Sequence, residues 1–541
     1  MQSLLLCNRA LAVQELQDLI SNHLSYSDLK ACSSVSCYWS SLFAPFVWRG
    51  FTVQDNKRDT ISIVRRNGSY FQKLTLRILD KTLLELMTQH CPNVSSLRLH
   101  FDHHSSRVQY SILSTFFSRI HTSLTSLYIQ FDASLYPPSL LWSISSLTNL
   151  IRLEFNVFYS QRFGTKHHPP ELYLSILQCC PTIQILVGEG SFLEQSNQSI
   201  YYNKDSMSVR LKRTLVPRTL GLPSHPPPAT NMHMKYNLRF LHMRCHGVDI
   251  PTFHIIISHC PLLERLLINY GNWSIASETW KILSAHCPRL YDLQVWNCES
   301  GLQLPDSTVL FYLFPKLETL RLNFLTFTET LDPSDLKGCR LRYEDTYDVQ
   351  EPPPLKSLAI TGPNSRAFTI LLYALTAFPA LESLTIGNTN LSYIASQESL
   401  SPGYCDIKEP WVCHHSLTWL DLMFMHFPNQ AILHQFFGHV GDLVNLTTLH
   451  VASSHLRTLM TTDAGSVLRL STVFPTVTTL HISPWVPVSE TVSESPFSWG
   501  EASAVIDAFP RLKTMGFLGA LGVGLEGALP VTYPTIAFVP W

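Results

Sequence analysis

"HCPLLERLLI" (259–268), "HCPRLYDLQV" (286–295) and "LFPKLETLRL" (313–322) carry one pattern three times: Cys or Phe, then Pro, then a comb of apolar residues. Pro261, Pro288 and Pro315 are equally spaced, since 288 − 261 and 315 − 288 both give 27. A fixed period of this size signals one supersecondary unit copied head to tail. Each comb ends in alternation, as in Leu293-Gln294-Val295. Alternation puts both apolar side chains on one face of a strand.

Working outward, the comb apolar-x-x-Leu-x-apolar recurs at 71–76, 94–99, 124–129, 150–155, 238–243, 355–360, 381–386, 417–422, 446–451 and 477–482. A variant with Met for Leu stands at 512–517, and a degenerate copy at 183–188. Helical stripes lie between the combs: Phe253, Ile256, Ile257 and Cys260 fall at i, i+3, i+4 and i+7. The proline after Cys cannot continue a helix and biases the preceding residue toward extended backbone. Cys91, Cys180, Cys260 and Cys287 are therefore expected as the last buried residue of a helix. A catalytic role is disfavoured because Phe replaces Cys in sister copies.

Strand plus helix at this period resembles the leucine-rich repeat in its longer, ribonuclease-inhibitor-like form. The implied fold class is α/β, a leucine-rich-repeat solenoid forming an irregular horseshoe. It covers residues 71–520, with a disordered insertion at 191–236 and further loops at 325–354 and 484–504. Residues 521–541 are expected to form a C-terminal cap or tail.

Residues 9–52 do not follow the comb. "QELQDLISNHL" places Leu16, Leu19, Ile20 and Leu24 on one helical stripe. "SYSDLKACSSVSCYW" starts a second helix, with Ser27 as candidate N-cap and Leu29, Cys32, Val35 and Trp39 sharing a side. Pro45 and Trp48 close the module, and 53–70 is expected as a linker. These stretches resemble an F-box, so the module is expected to be small and all-α. The family's opening Leu-Pro reads Ala12-Val13 here, and the usual Arg of its Val-Cys-Arg-x-Trp segment is absent, Cys37 and Tyr38 preceding Trp39.

The resemblance implies a substrate receptor of an SCF-type ubiquitin ligase, with no enzymatic activity of its own. The helical module would bind a Skp-family adaptor, and through it a cullin, by way of Leu16, Leu19, Ile20, Leu24, Leu29, Val35, Trp39 and Trp48. The repeats would hold a protein substrate. The residue between the two inward apolar positions of each comb faces the opposite side, which gives Arg98, Tyr128, Glu154, His242, Gln294, Arg321, Asp421 and His450 as candidate substrate contacts. The alternative is a protein-interaction scaffold whose F-box-like module no longer engages the adaptor.

Composition agrees with a partner-binding protein. The chain has 39 Lys+Arg against 40 Asp+Glu, a balance unsuited to a general nucleic-acid binder. Its 13 cysteines include no CxxC pair and fit a reducing compartment, hence cytoplasm or nucleus. No membrane span, cofactor or metal is expected. Cys405, Cys413, His414 and His415 lack finger spacing, and GxxxxGK[ST], GxSxG and HExxH are absent.

Overall fold

The computed structural model describes residues 13–53, 58–77, 80–101, 110–132, 143–159, 171–192, 235–244, 250–271, 277–298, 313–324, 354–361, 367–387, 411–423, 425, 427, 429–462, 468–483, 497–517 and 525–540. The chain divides into two compact units. The first comprises Met1–Leu150, Phe155–Lys166 and Gly190–Tyr236; the second comprises Ile151–Glu154, His167–Glu189 and Asn237–Trp541.

The first unit begins with three helices, α1 (Gln14–His23), α2 (Tyr26–Val35) and α3 (Cys37–Val47). Ser25, not Ser27, caps α2: its hydroxyl accepts from the Asp28 N–H while the Asp28 carboxylate accepts from the Ser25 N–H. Such a reciprocal box satisfies two orphan donors at a helix start. Leu29, Phe43 and Val47 form the small core, with Leu24, Cys32, Trp39, Leu42, Phe46 and Trp48 packed around it.

After the helices come four parallel strands, Gly50–Val53, Lys73–Leu76, Ser96–His100 and Ser126–Asp132, each hydrogen-bonded to the next in chain order. Residues 53–70 are thus not a linker. Val53 belongs to the first strand, and Arg58–Asn67 is a helix that buries Thr60 and Val64. The comb was invisible there because Gly50-Phe-Thr-Val53 lacks its leucines. Phe51 stacks on Phe71 at 4.7 Å and meets Trp48 at 6.3 Å, so aromatic rings join α3 to the first strand pair.

The second unit repeats this order as a long parallel sheet. Strands at Ile185–Phe192, Phe240–Arg244, Arg265–Gly271, Asp292–Cys298, Thr319–Phe324, Ser357–Thr361, Ser383–Gly387, Trp419–Asp421, Thr448–Ala452, Thr479–Ser483, Thr514–Phe517 and Ala537–Pro540 pair successively, all parallel. Every comb with a described strand falls where alternation placed it. Leu266, Leu293, Leu320, Leu358, Leu384, Leu420, Leu449 and Leu480 lie in mutual register and are buried. Complete burial of each such side chain stabilises by about 1.5–3 kcal/mol. Residues 525–540 are likewise more than a tail, with a helix at Leu525–Thr532 and a strand paired to Thr514–Phe517. The helix Trp499–Ala508 occupies part of the stretch read as a loop at 484–504. The 191–236 insertion lies almost wholly outside the described residues; its ends, Ser191–Phe192 and Lys235–Tyr236, are ordered strand and a buried tyrosine.

The punctuation behaves as its chemistry requires. The N–H of Cys91, Cys180, Cys260 and Cys287 donates to Met87, Ile176, Ile257 and Leu283 respectively, closing each helix, and all four thiols are buried. Burial pushes Cys91, Cys180 and Cys287 up to about 12 and raises Cys260 further. Polar residues beside the turns tie neighbouring copies together. Asn93, Asn149 and Asn445 donate to the Ser69, Thr122 and His415 carbonyls, and the Thr418, Thr447 and Thr478 hydroxyls donate to Glu382, Thr418 and Thr447. The asparagine bonds satisfy carbonyls at the turns, while the threonine hydroxyls add a bond to carbonyls that already accept backbone N–H groups.

Candidate functional site

Two surfaces stand out, one in each level of organisation. The first is helix α1, which packs inside out. Its inward positions are polar: Gln17 is 8% exposed and Ser21 6%, with the Ser21 hydroxyl donating to the Gln17 carbonyl at 2.7 Å. Its apolar positions face solvent. Val13, Leu16, Leu19 and Ile20 are all exposed, Leu19 by 57%. Val13, Leu16 and Ile20 are spaced i, i+3, i+7, with Leu19 alongside, so they form one continuous stripe. Tyr26, Val35 (65% exposed) and Tyr38 add exposed apolar groups on α2 and α3.

The eight candidate adaptor contacts therefore separate. Leu16, Leu19, Ile20 and Val35 are on the surface. Leu29 is buried, and Leu24, Trp39 and Trp48 pack against the module's own core. These four support the helical fold rather than present themselves to a partner, and Val35 does not share their buried side. An amphipathic stripe looks the same in sequence whether it faces inward or outward. The signal that could have found the answer is the polar pair Gln17 and Ser21 on the side the core takes.

The second surface is the open face of the strands. In the second unit Val187, His242, Leu267, Gln294, Arg321, Ala359, Thr385, Asp421, His450, His481, Gly516 and Val539 are successive register partners. The candidate contacts from His242 to His450 thus form one row. Gln294 donates to Asp292, which also accepts from Arg265 at 2.9 Å, and Arg321 is exposed. Glu154 is half-buried and ion-paired with Arg152 on its own strand. In the first unit Thr52, Thr75, Arg98 and Tyr128 make the equivalent row.

One position in the row departs from expectation. His450 is only 2% exposed. Its ring lies between Trp419 at 4.5 Å and His481 at 4.4 Å, with Asp421 Oδ2 3.7 Å from its Nδ1. His481 in turn sits over Gly516, where a Cβ would come within 2.4 Å of its Nδ1. From His242 to Asp421 the row is half-buried or exposed, whereas here it is filled by its own side chains. Burial, and secondarily His450, lowers the His481 pKa below its usual 6.5, against a smaller opposing effect of Asp421. The unfolded chain therefore takes up this proton first as pH falls. The contribution to stability is present above about pH 6.5 and is lost as pH drops from there through the folded pKa. Melting temperature is expected to fall between pH 7.5 and pH 5.5, and His481→Gln to flatten that fall; an equal slope in the variant would refute the assignment.

Among the described residues no group of three or more His, Cys, Asp or Glu could hold a metal ion, and no helix is long and apolar enough to cross a membrane. Cys405 lies outside the described residues; Cys413 is buried, its thiol pushed up to about 12.

No family model matches the chain, and no curated protein matches it in sequence. Among solved structures it is similar to a chain of the "Crystal structure of Rad7 and Elc1 complex in yeast", at a TM-score of 0.36 and 10% identity, over 97% of this chain and 90% of that one.

Proposed function

We propose that this protein is a non-catalytic substrate receptor of an SCF-type ubiquitin ligase, built as a leucine-rich-repeat solenoid with an F-box-like module at its head. The α1 stripe docks a Skp-family adaptor, which links the chain to a cullin. The open row of the repeats holds a protein substrate, raising its local concentration near the conjugating enzyme. The observation that carries this reading is the inverted helix α1. Four apolar side chains held in water beside a polar inner face have a reason to stay there if a partner covers them. The mixed signs of the row, with Arg321, Asp421, Gln294 and Leu267, suit a protein surface better than a phosphate backbone. Such a receptor works in the cytoplasm or nucleus.

The test is co-purification with a Skp-family adaptor, with and without residues 1–52. Capture by the full chain and none by the truncated one is expected. The scaffold reading draws on Ala12-Val13, which replaces the Leu-Pro opening of the family. Failure of the full chain to capture any such adaptor would leave that reading standing and remove the ligase role.

A further inference from the structure

The open face of the first unit differs in chemistry from the mixed row of the second. Three strands are in strict register: Lys73↔Ser96↔Ser126, Thr75↔Arg98↔Tyr128, and His100↔Gln130 with Arg77 next beyond Leu76. Leu74, Leu76, Leu97, Leu99, Leu127 and Ile129 point into the core, so the alternate residues share the outer face. Lys73, Arg77 and Arg98 are exposed, and His100 and Tyr128 half-buried.

Lys73, Arg77 and Arg98 occupy this face beside His100, and the registered positions from Lys73 to Gln130 carry no acid, the first acidic position of the last strand being Asp132 at its end. Among the described residues no carboxylate lies within ion-pair distance of Lys73, Arg77 or Arg98. This is not a by-product of a basic chain, because acids outnumber bases by one over the whole sequence. The groups are close to one another. The Arg98 guanidinium stands 5.7 Å from the Tyr128 ring centroid, and the His100 ring is also 5.7 Å from it. The Tyr128 hydroxyl donates to Gln130 Oε1 at 3.2 Å, which fixes the ring between them. Burial first, then Arg77 and Arg98, depress the His100 pKa, outweighing a Gln130 hydrogen bond.

We infer that this face binds an acidic, extended segment of a protein partner through Lys73, Arg77, Arg98 and His100, with Tyr128 as its aromatic floor. The spacing favours a chain of carboxylates. Alternate residues on a strand are about 6.6 Å apart, and alternate side chains of an extended peptide repeat at the same distance. Arg98 and His100 are such a pair, as are Lys73 with Thr75 and Thr75 with Arg77. The inference deepens the receptor reading by naming a substrate class, and it rests on that reading only for the partner being a protein.

The experiment measures fluorescence anisotropy of a labelled decapeptide alternating Glu and Thr, added to the full chain without adaptor. Comparison probes are the Gln-for-Glu peptide, a Gln/Thr peptide with one phosphoserine, and a ten-nucleotide single strand. The Glu peptide is expected to bind best and to weaken with added salt. Arg77→Glu and Arg98→Glu should each weaken it about tenfold, the loss of one charge-assisted contact. Arg98→Gln, which adds no repulsion, should weaken it in the same direction with an unchanged melting temperature. Equal binding of the Gln peptide, indifference to Arg98→Gln and Arg98→Glu, or tighter binding of the phosphoserine peptide or the oligonucleotide would overturn the proposal. Because no adaptor is present, this result is independent of whether α1 docks one.

Discussion

Leu19→Asp combined with Ile20→Asp is expected to abolish adaptor capture while leaving the circular dichroism spectrum and melting temperature nearly unchanged. Both side chains are exposed, and neither belongs to the small core of Leu29, Phe43 and Val47. A carboxylate there stays in water in the free protein, so it costs only about 0.5 kcal/mol in helix propensity and helix-dipole interaction. In a complex it would be buried without a partner. Truncating one central interface residue typically costs about 2 kcal/mol or more, and two placed side by side on one stripe would cost about 4 kcal/mol, roughly a thousandfold in affinity. Leu29→Asp is the counterpart, since it puts a charge inside the module and should unfold it, losing capture together with helicity. Should the surface double variant lose helicity as well, or keep full capture, the assignment of α1 as the docking element fails.

The second large effect is on stability. Phe437→Ala should destabilise the second unit by about 3–5 kcal/mol, the usual cost of emptying a buried aromatic site. Phe437 lies on the helix Gln430–Gly441, capped by Asn429, whose side chain accepts from the Ile432 N–H. It is fully buried, with ring centroids of Phe427, Phe436, His455 and Phe474 at 5.8, 5.7, 6.3 and 6.2 Å. Phe474 continues the cluster by stacking on Phe509 at 4.6 Å. The site therefore touches elements from several successive copies, none of which can collapse alone into the space. Denaturant titration should show an earlier transition for this unit. Adaptor capture, assigned above by proposal to α1, is expected to be intact. A loss under about 1 kcal/mol would show that the cluster is loosely packed.

Much of the architecture could be read directly from residues. The Leu-x-apolar alternation and the Cys-Pro stop are strong because each has one physical meaning, so strand positions and helix ends fell where the comb put them. The strands Gly50–Val53 and Ala537–Pro540 are not legible in the sequence for the converse reason: they lack the leucine that marks the others. The candidate site was legible by row but not by exposure. Register placed Asp421 and His450 side by side, yet only packing shows that Trp419 and His481 close over the latter. In the helical module, periodicity identified the stripe on α1, while which way it faced depended on Gln17 and Ser21 finding hydrogen bonds inside. Two periodicities on one helix cannot rank themselves; the partners of the polar groups decide.

The thiols that close the helices have a consequence of their own. Cys91 marks one copy in the first unit, and Cys180, Cys260 and Cys287 mark separate copies in the second, each thiol shielded and kept protonated by its surroundings. A thiol so placed reacts with an alkylating reagent only when its own coil opens. The protein thus carries, at intervals along its length, a set of native gauges from which the breathing of individual coils can be timed one by one, with no label introduced.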